Sequence, residues 1–129
     1  MSDVANTPVI LITHGDAGRA MVAAVEQFVG PVDVIVAEIE VTSGKSTMTT
    51  AIEGISDRLT GQPALFLVDL DGSTPCRLCQ EHGVVVTGVN LPMLMKLATC
   101  DRTLSPAELA RQLAQTGQRS ILMRSGDAT

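Results

Sequence analysis

The stretch Val9-Ile10-Leu11-Ile12, inside an apolar run from Pro8 to Thr13, limits the fold more than any other feature of the chain. The run is too short for a helix, rich in β-branched residues, and apolar at successive positions. A half-exposed strand alternates apolar with polar residues, whereas an unbroken run needs cover on both faces, as the strands of a parallel sheet have. Beyond it the period changes. Ala17, Ala20, Met21, Ala24, Val25 and Phe28 recur at helical spacing, and Gly30-Pro31 stops the helix.

The alternation continues along the chain. Val32 to Ile39 reads as a second strand and Thr42-Ser43-Gly44 as the loop after it. Met48, Ile52, Ile55 and Leu59 stripe a helix from about Ser46 to Leu59, closed by Gly61 and Pro63. Ala64 to Leu70 is a third strand, and the helix after it begins at Ser73, Thr74 or Pro75, since a hydroxyl cap followed by proline is a common helix start. Gly83 ends that helix. Val84 to Val89 is the fourth strand, Asn90 stops it, and a short helix runs from Pro92 through Ala98. Ser105-Pro106-Ala107-Glu108 is a capping box, predicting a helix from Pro106 to about Thr116 that Gly117 ends. Ser120 to Arg124 is a candidate last edge strand, and Ser125 to Thr129 should fray.

Strands alternating with helices in this order define an α/β fold: a mostly parallel sheet with helices on both faces. The 129 residues suit one domain, with its core from about 8 to 124. No apolar run approaches the ~20 residues a membrane span requires, and the polar start with Asp3 does not resemble a secretory leader. The expected setting is the cytoplasm, with no direct membrane insertion. The net charge of -5 disfavours a phosphate-backbone partner, and two aromatic residues, Phe28 and Phe66, offer little for base stacking, so no nucleic acid is expected. Three cysteines, an odd set, suit a reducing compartment.

In sheets of this kind functional loops sit at the carboxyl ends of the strands. Here those ends are Thr13 to Asp16, Val41 to Lys45, Asp69 to Thr74 and Asn90 to Pro92. The topology therefore brings His14 and Asp69 to the same end of strands one and three. A lone strand-end histidine is most often a satisfied structural group, and a lone aspartate there a turn or cap. Together, Asp69 accepting from one ring nitrogen would leave the other as an exposed nucleophile. Gly15 permits close approach by another molecule, and the helix that follows offers N–H groups to an anion. Arg19, one turn into that helix, is either a docking charge or a solvated surface arginine.

Other motifs have plainer readings. Thr42-Ser43-Gly44-Lys45-Ser46-Thr47 carries the tail of a phosphate-binding loop, but Ile39 stands where the leading glycine belongs, which favours a mobile loop beside the His14 site. Cys76 and Cys79 have redox spacing, and His82 and Cys100 would extend them to a zinc set. Neither pattern is complete, and cysteines packing one helix face are the default. His82 suits a helix end, and Met93, Met95 and Met123 suit core filling. A receiver domain shares the aspartate after strand three, but its acidic pair after strand one is replaced by Thr13-His14-Gly15-Asp16.

Three ordered motifs carry a more specific likeness: Ile12-Thr13-His14-Gly15, the run Leu67-Val68-Asp69-Leu70-Asp71-Gly72-Ser73-Thr74-Pro75, and Gly88-Val89-Asn90-Leu91-Pro92-Met93-Leu94. With their spacing, from about Val9 to Ala98, the chain resembles the IIA domain of the mannose family of the bacterial sugar phosphotransferase system. The resemblance implies a flavodoxin-like fold in a homodimer, with an antiparallel edge strand exchanged between subunits, for which Ser120 to Arg124 is the candidate. It implies that His14 is phosphorylated and that Asp69 orients it. The donor would be the phosphocarrier protein HPr and the acceptor a IIB domain or a regulatory protein. Gly15, Gly72, Ser73 and Thr74 are the candidates to hold the phosphoryl oxygens, with no metal or cofactor expected. Where the family often has Phe-Asn after the proline, this chain has Cys76-Arg77, which alters the partner surface more than the chemistry. The alternative class is a non-enzymatic regulatory or nucleotide-binding module of the same fold.

Overall fold

Successive residues of the first strand, β1 (Val9–Ile12), feed two different cores. Val9 and Leu11 join one apolar cluster, Ile10 and Ile12 another, and all four are at most 1% exposed. This is the two-sided burial that an unbroken apolar run demands. The computed structural model describes residues 5–37 and 44–126.

Eight further elements follow: α1 (Ala17–Val29), β2 (Ile35–Ala37), α2 (Lys45–Arg58), β3 (Leu65–Val68), α3 (Thr74–Gln80), β4 (Val84–Val86), α4 (Leu91–Thr99) and α5 (Pro106–Arg119). The four strands lie in the order β2-β1-β3-β4, and every neighbouring pair is parallel, with Ile10 beside both Ile35 and Phe66 and Phe66 beside Val85. Helices α1, α4 and α5 cover one face through Val25, Leu94, Leu97, Leu109 and Leu113. Helices α2 and α3 cover the other through Met48, Ile52, Ile55, Cys76 and Cys79. Each large side chain so buried contributes ~1.5–3 kcal/mol. The chain leaves β1 for β2 on one side and reaches β3 on the other, so a crevice opens between the carboxyl ends of β1 and β3. Among the described residues, no helix is long and apolar enough to cross a membrane.

The opposite, amino-terminal end of the sheet is tied by Arg102, in the loop between α4 and α5. Its guanidinium donates to the carbonyls of Asp33 at 2.6 Å and Thr7 at 2.8 Å, and its own carbonyl accepts from the Thr7 N–H at 2.7 Å. The segments leading into β1 and β2 are thus fastened to the α4–α5 connection by one side chain.

The structure departs from the sequence expectations at three places. Gly117 does not end α5, which continues to Arg119. Its role is closeness: a Cβ there would lie 2.5 Å from the Met93 methyl group and 3.2 Å from the Asn90 amide, so glycine lets α5 lie against the start of α4. The bond from the Asn90 amide to the Gly117 carbonyl, 3.3 Å, uses that approach. Ser120 to Arg124 forms no strand: residues 121–125 have no regular secondary structure. A strand needs a partner for its N–H and C=O groups, and within one chain this segment pairs with none of the four. Finally, β2 starts at Ile35 and not at Val32, and β4 stops at Val86 and not at Val89, although the Val89 N–H still reaches the Val68 carbonyl at 3.0 Å. Residues 38–43, which hold the end of the expected second strand and Thr42-Ser43, lie outside the described residues.

Candidate functional site

The loops that leave β1 and β3 meet through one carboxylate. Oδ2 of Asp69 accepts from the main-chain N–H of His14 at 2.8 Å and lies 2.9 Å from its ring Nδ1; Oδ1 lies 3.1 Å from the same nitrogen. Partial burial pushes the Asp69 carboxyl up, but the His14 main-chain N–H, the ring N–H and the charge of the ring together outweigh it, leaving the pKa below the ordinary value. Asp69 is therefore ionised near neutral pH and can only accept. An acceptor facing Nδ1 assigns the proton to Nδ1 and the lone pair to Nε2. Among the described residues, Nε2 has no hydrogen-bond partner. The ring is 34% exposed and Asp69 25%, so the ring is held from inside and its open nitrogen is reachable from outside.

Local sequence explains the pose of the loop. Thr13, buried at the end of β1, accepts the Gly18 N–H with its hydroxyl at 2.6 Å. It thereby supplies the capping contact that Asp16, at the N-cap of α1, does not make. Gly15 sits at φ +58°, in the left-handed region that side chains disfavour, and this lets the chain turn from strand to helix immediately after His14. The main-chain N–H groups of Gly15 and Asp16 donate to no acceptor among the described residues. They lie beside the histidine and are open to an anion.

On the β3 side the candidates divide. The N–H groups of Gly72, Ser73 and Thr74 are likewise without an acceptor among the described residues. The Ser73 hydroxyl, however, is engaged: it donates to the Leu70 carbonyl at 2.9 Å and accepts the Cys76 N–H at 3.3 Å, capping α3. Thr74 forms no side-chain hydrogen bond among the described residues and lines a cavity on the α2–α3 side. The α4 motif also has a structural use. Asn90 caps α4 by accepting the Met93 N–H at 3.1 Å and bonds Gly117 through its amide. Leu70, 56% exposed, and Leu91, 39% exposed, leave apolar surface on the loops at this end of the sheet.

The remaining motifs are placed away from this chemistry. Cys76 and Cys79 are buried under α3, while Cys100 packs against the core on the opposite face of the sheet. Burial pushes the Cys79 thiol up to about 12, which makes it inert. Among the described residues, no three His, Cys, Asp or Glu side chains converge as a metal site. The contributions of Thr13 and Arg102 escaped the sequence reading. Thr13 carried a weak signal, a hydroxyl just before a helix whose own N-cap position gives no side-chain bond, and Arg102 carried none.

The chain matches the family model of the PTS system fructose IIA component over residues 8–114. It is similar to the mannose/sorbose-specific IIA subunit of the phosphotransferase system from Enterococcus faecalis, with 26% identity and a TM-score of 0.86 over 97% of this chain and 99% of that one. The PTS IIA protein associated with the fucose utilization operon from Streptococcus pneumoniae shares the fold, with 19% identity and a TM-score of 0.76 over 95% of this chain and 96% of that one. So does the phosphotransferase component EIIA from Streptococcus agalactiae, with 18% identity and a TM-score of 0.75 over 91% and 96%. No curated protein matches the sequence.

Proposed function

The chain belongs to the family of PTS fructose IIA components, which relay phosphoryl groups in sugar transport, and we propose that in this member His14 is the residue that carries the group. The observation that carries the reading is the two-point hold of Asp69 on His14, through main chain and Nδ1, with Nε2 left open. The donor in this reading is phospho-HPr. The Nε2 lone pair attacks phosphorus in line, a new P–N bond forms, and the electron pair of the broken P–N bond returns to the donor's histidine. His14 becomes cationic as the bond forms, and the Asp69 carboxylate beside Nδ1 stabilises that charge. In this reading the N–H groups of Gly15, Asp16 and the Gly72–Thr74 loop, which have no acceptor among the described residues, receive the phosphoryl oxygens. Thr74 has a hydroxyl to spare for the same oxygens; Ser73 serves through its main chain. Transfer between two carriers is mainly positioning and charge stabilisation, and the reverse step passes the group to a IIB domain.

The partner surface in this reading is the carboxyl end of the sheet, where Leu70 and Leu91 offer apolar contacts around the histidine. A second copy of the chain is the partner for the tail. Ile121, Leu122 and Met123 are 78%, 63% and 93% exposed, an apolar run that a single protomer leaves in water. A homodimer in which this segment completes the neighbour's sheet would cover it.

The test is phosphoryl uptake from phospho-HPr. The wild-type chain should acquire an acid-labile, base-stable phosphate, and His14→Ala should acquire none while keeping its circular dichroism spectrum. Undiminished uptake by the alanine variant would refute the assignment.

A further inference from the structure

Lys45, Thr74, Arg77, Leu78 and Glu81 line one cavity of about 270 Å³ formed between α2 and α3. Neither the Lys45 ammonium nor the Arg77 guanidinium has a hydrogen-bond or ion-pair partner among the described residues. Two unneutralised cations and a spare hydroxyl therefore share one concave space in a chain of net charge -5. Lys45 is the lysine of the incomplete phosphate-loop motif, and Arg77 stands where the family often has asparagine, so neither is explained by the chemistry at His14.

Size and charge limit what fits. The volume lies just below the ~300 Å³ at which pockets for drug-sized ligands begin, which suits a small anionic ligand. Glu81 narrows the choice. A carboxylate from a partner protein would be drawn to Lys45 and Arg77 but has no donor for Glu81, and inorganic phosphate would bring Glu81 its charge with only one or two P–OH groups to donate. A molecule with an anionic end and a hydroxylated end satisfies both. The geometry points to a binding site for a small sugar phosphate: the phosphate on Lys45, Arg77 and the Thr74 hydroxyl, the sugar hydroxyls donating to Glu81, and Leu78 as apolar wall. Arg offers a planar fork suited to two phosphate oxygens, and Lys a mobile point charge that tolerates several poses. The site uses neither His14 nor Asp69 and shares only the Thr74 hydroxyl with the phosphocarrier reading, so variants at Lys45, Arg77 and Glu81 test it separately.

The experiment is a titration of the full chain followed by backbone amide NMR shifts at low salt, with glucose 6-phosphate and fructose 1-phosphate as probes and glucose and inorganic phosphate as comparators. The sugar phosphates should produce saturable shifts centred on Lys45, Thr74, Arg77, Leu78 and Glu81, and glucose none. Arg77→Met and Lys45→Met should each weaken binding about tenfold or more, as the loss of a charge-assisted contact does. Glu81→Gln should weaken the sugar phosphates while tightening inorganic phosphate. His14→Ala should bind as the wild type does. No saturable shift up to ~20 mM, weaker than any affinity of use to a metabolite site, overturns the proposal. So does equal affinity for inorganic phosphate, which would mean a plain anion site, or binding indifferent to Arg77→Met, or binding lost in His14→Ala.

Discussion

Replacing Asp69 by asparagine changes one charge and almost no volume. In the structure Oδ2 takes both the main-chain N–H and the ring Nδ1–H of His14, at 2.8 and 2.9 Å, and Oδ1 lies 3.1 Å from Nδ1. An asparagine oxygen in the Oδ2 position keeps both contacts as neutral bonds, while its amide nitrogen replaces Oδ1 and faces the ring nitrogen donor to donor. Bonds to a charged group contribute ~1.5–3 kcal/mol against ~0.5–1.5 for neutral ones, so the downgrade costs about 1 kcal/mol or somewhat more at the ring. To this is added the lost attraction for a ring turning cationic, ~4 kcal/mol for unit charges at 4 Å in a medium of effective dielectric 20. With a third of the ring exposed, solvent screening reduces that to roughly 1–3 kcal/mol. The first loss is common to the resting and reacting states, so the second alone, about 1–3 kcal/mol, predicts a rate of phosphoryl uptake lower by roughly 5- to 150-fold. Rapid-quench single-turnover transfer from labelled phospho-HPr measures it, with circular dichroism checking that the fold persists. A rate within about threefold of wild type would refute the orienting role of Asp69, since tenfold corresponds to only ~1.4 kcal/mol.

The same variant has a stability signature. Because the folded-state pKa of Asp69 lies below 3.8, its ionised form contributes stability that is complete above the unfolded value and is lost as pH falls through the folded one. The stability difference between wild type and Asp69→Asn, followed by urea denaturation, should therefore shrink as the pH is lowered below ~4. Arg102→Ala removes two charge-assisted bonds to the Asp33 and Thr7 carbonyls from a nearly buried side chain and should cost about 2–4 kcal/mol in urea denaturation, with phosphoryl uptake unchanged at temperatures where the variant stays folded. A loss under ~0.5 kcal/mol would show that the clamp is idle. Thiol labelling at pH 8 should leave Cys76 and Cys79, buried at 1% and 0% exposure, unmodified until the protein unfolds; rapid labelling of either in the native state would contradict the packing under α3.

Much of the architecture was legible along the chain because it rests on local patterns. The unbroken run at Val9 to Ile12 required two-sided burial, and the structure divides its residues between two cores. The capping box at Ser105 located the start of α5, with the Glu108 N–H donating to the Ser105 hydroxyl at 3.2 Å. Gly117 misled as a helix stop, because a glycine ends helices where the backbone must reverse but also serves where another helix presses close. Only the position of Met93 and Asn90 distinguishes the two uses.

At the site, the alternation of strands and helices is legible along the chain, and with it that His14 and Asp69 lie at the carboxyl end of one parallel sheet; that β1 and β3 are neighbours is a matter of strand order. Period and composition suffice for the alternation, being properties of residues close in sequence. Whether the two side chains touch, which ring nitrogen keeps its proton, that the Ser73 hydroxyl is spent on capping, and that Lys45 and Arg77 share a cavity were decided by tertiary structure alone. His14 and Asp69 lie 55 residues apart in the chain. A hydrogen bond depends on a few tenths of an ångström between atoms, and that distance is set by how whole elements pack.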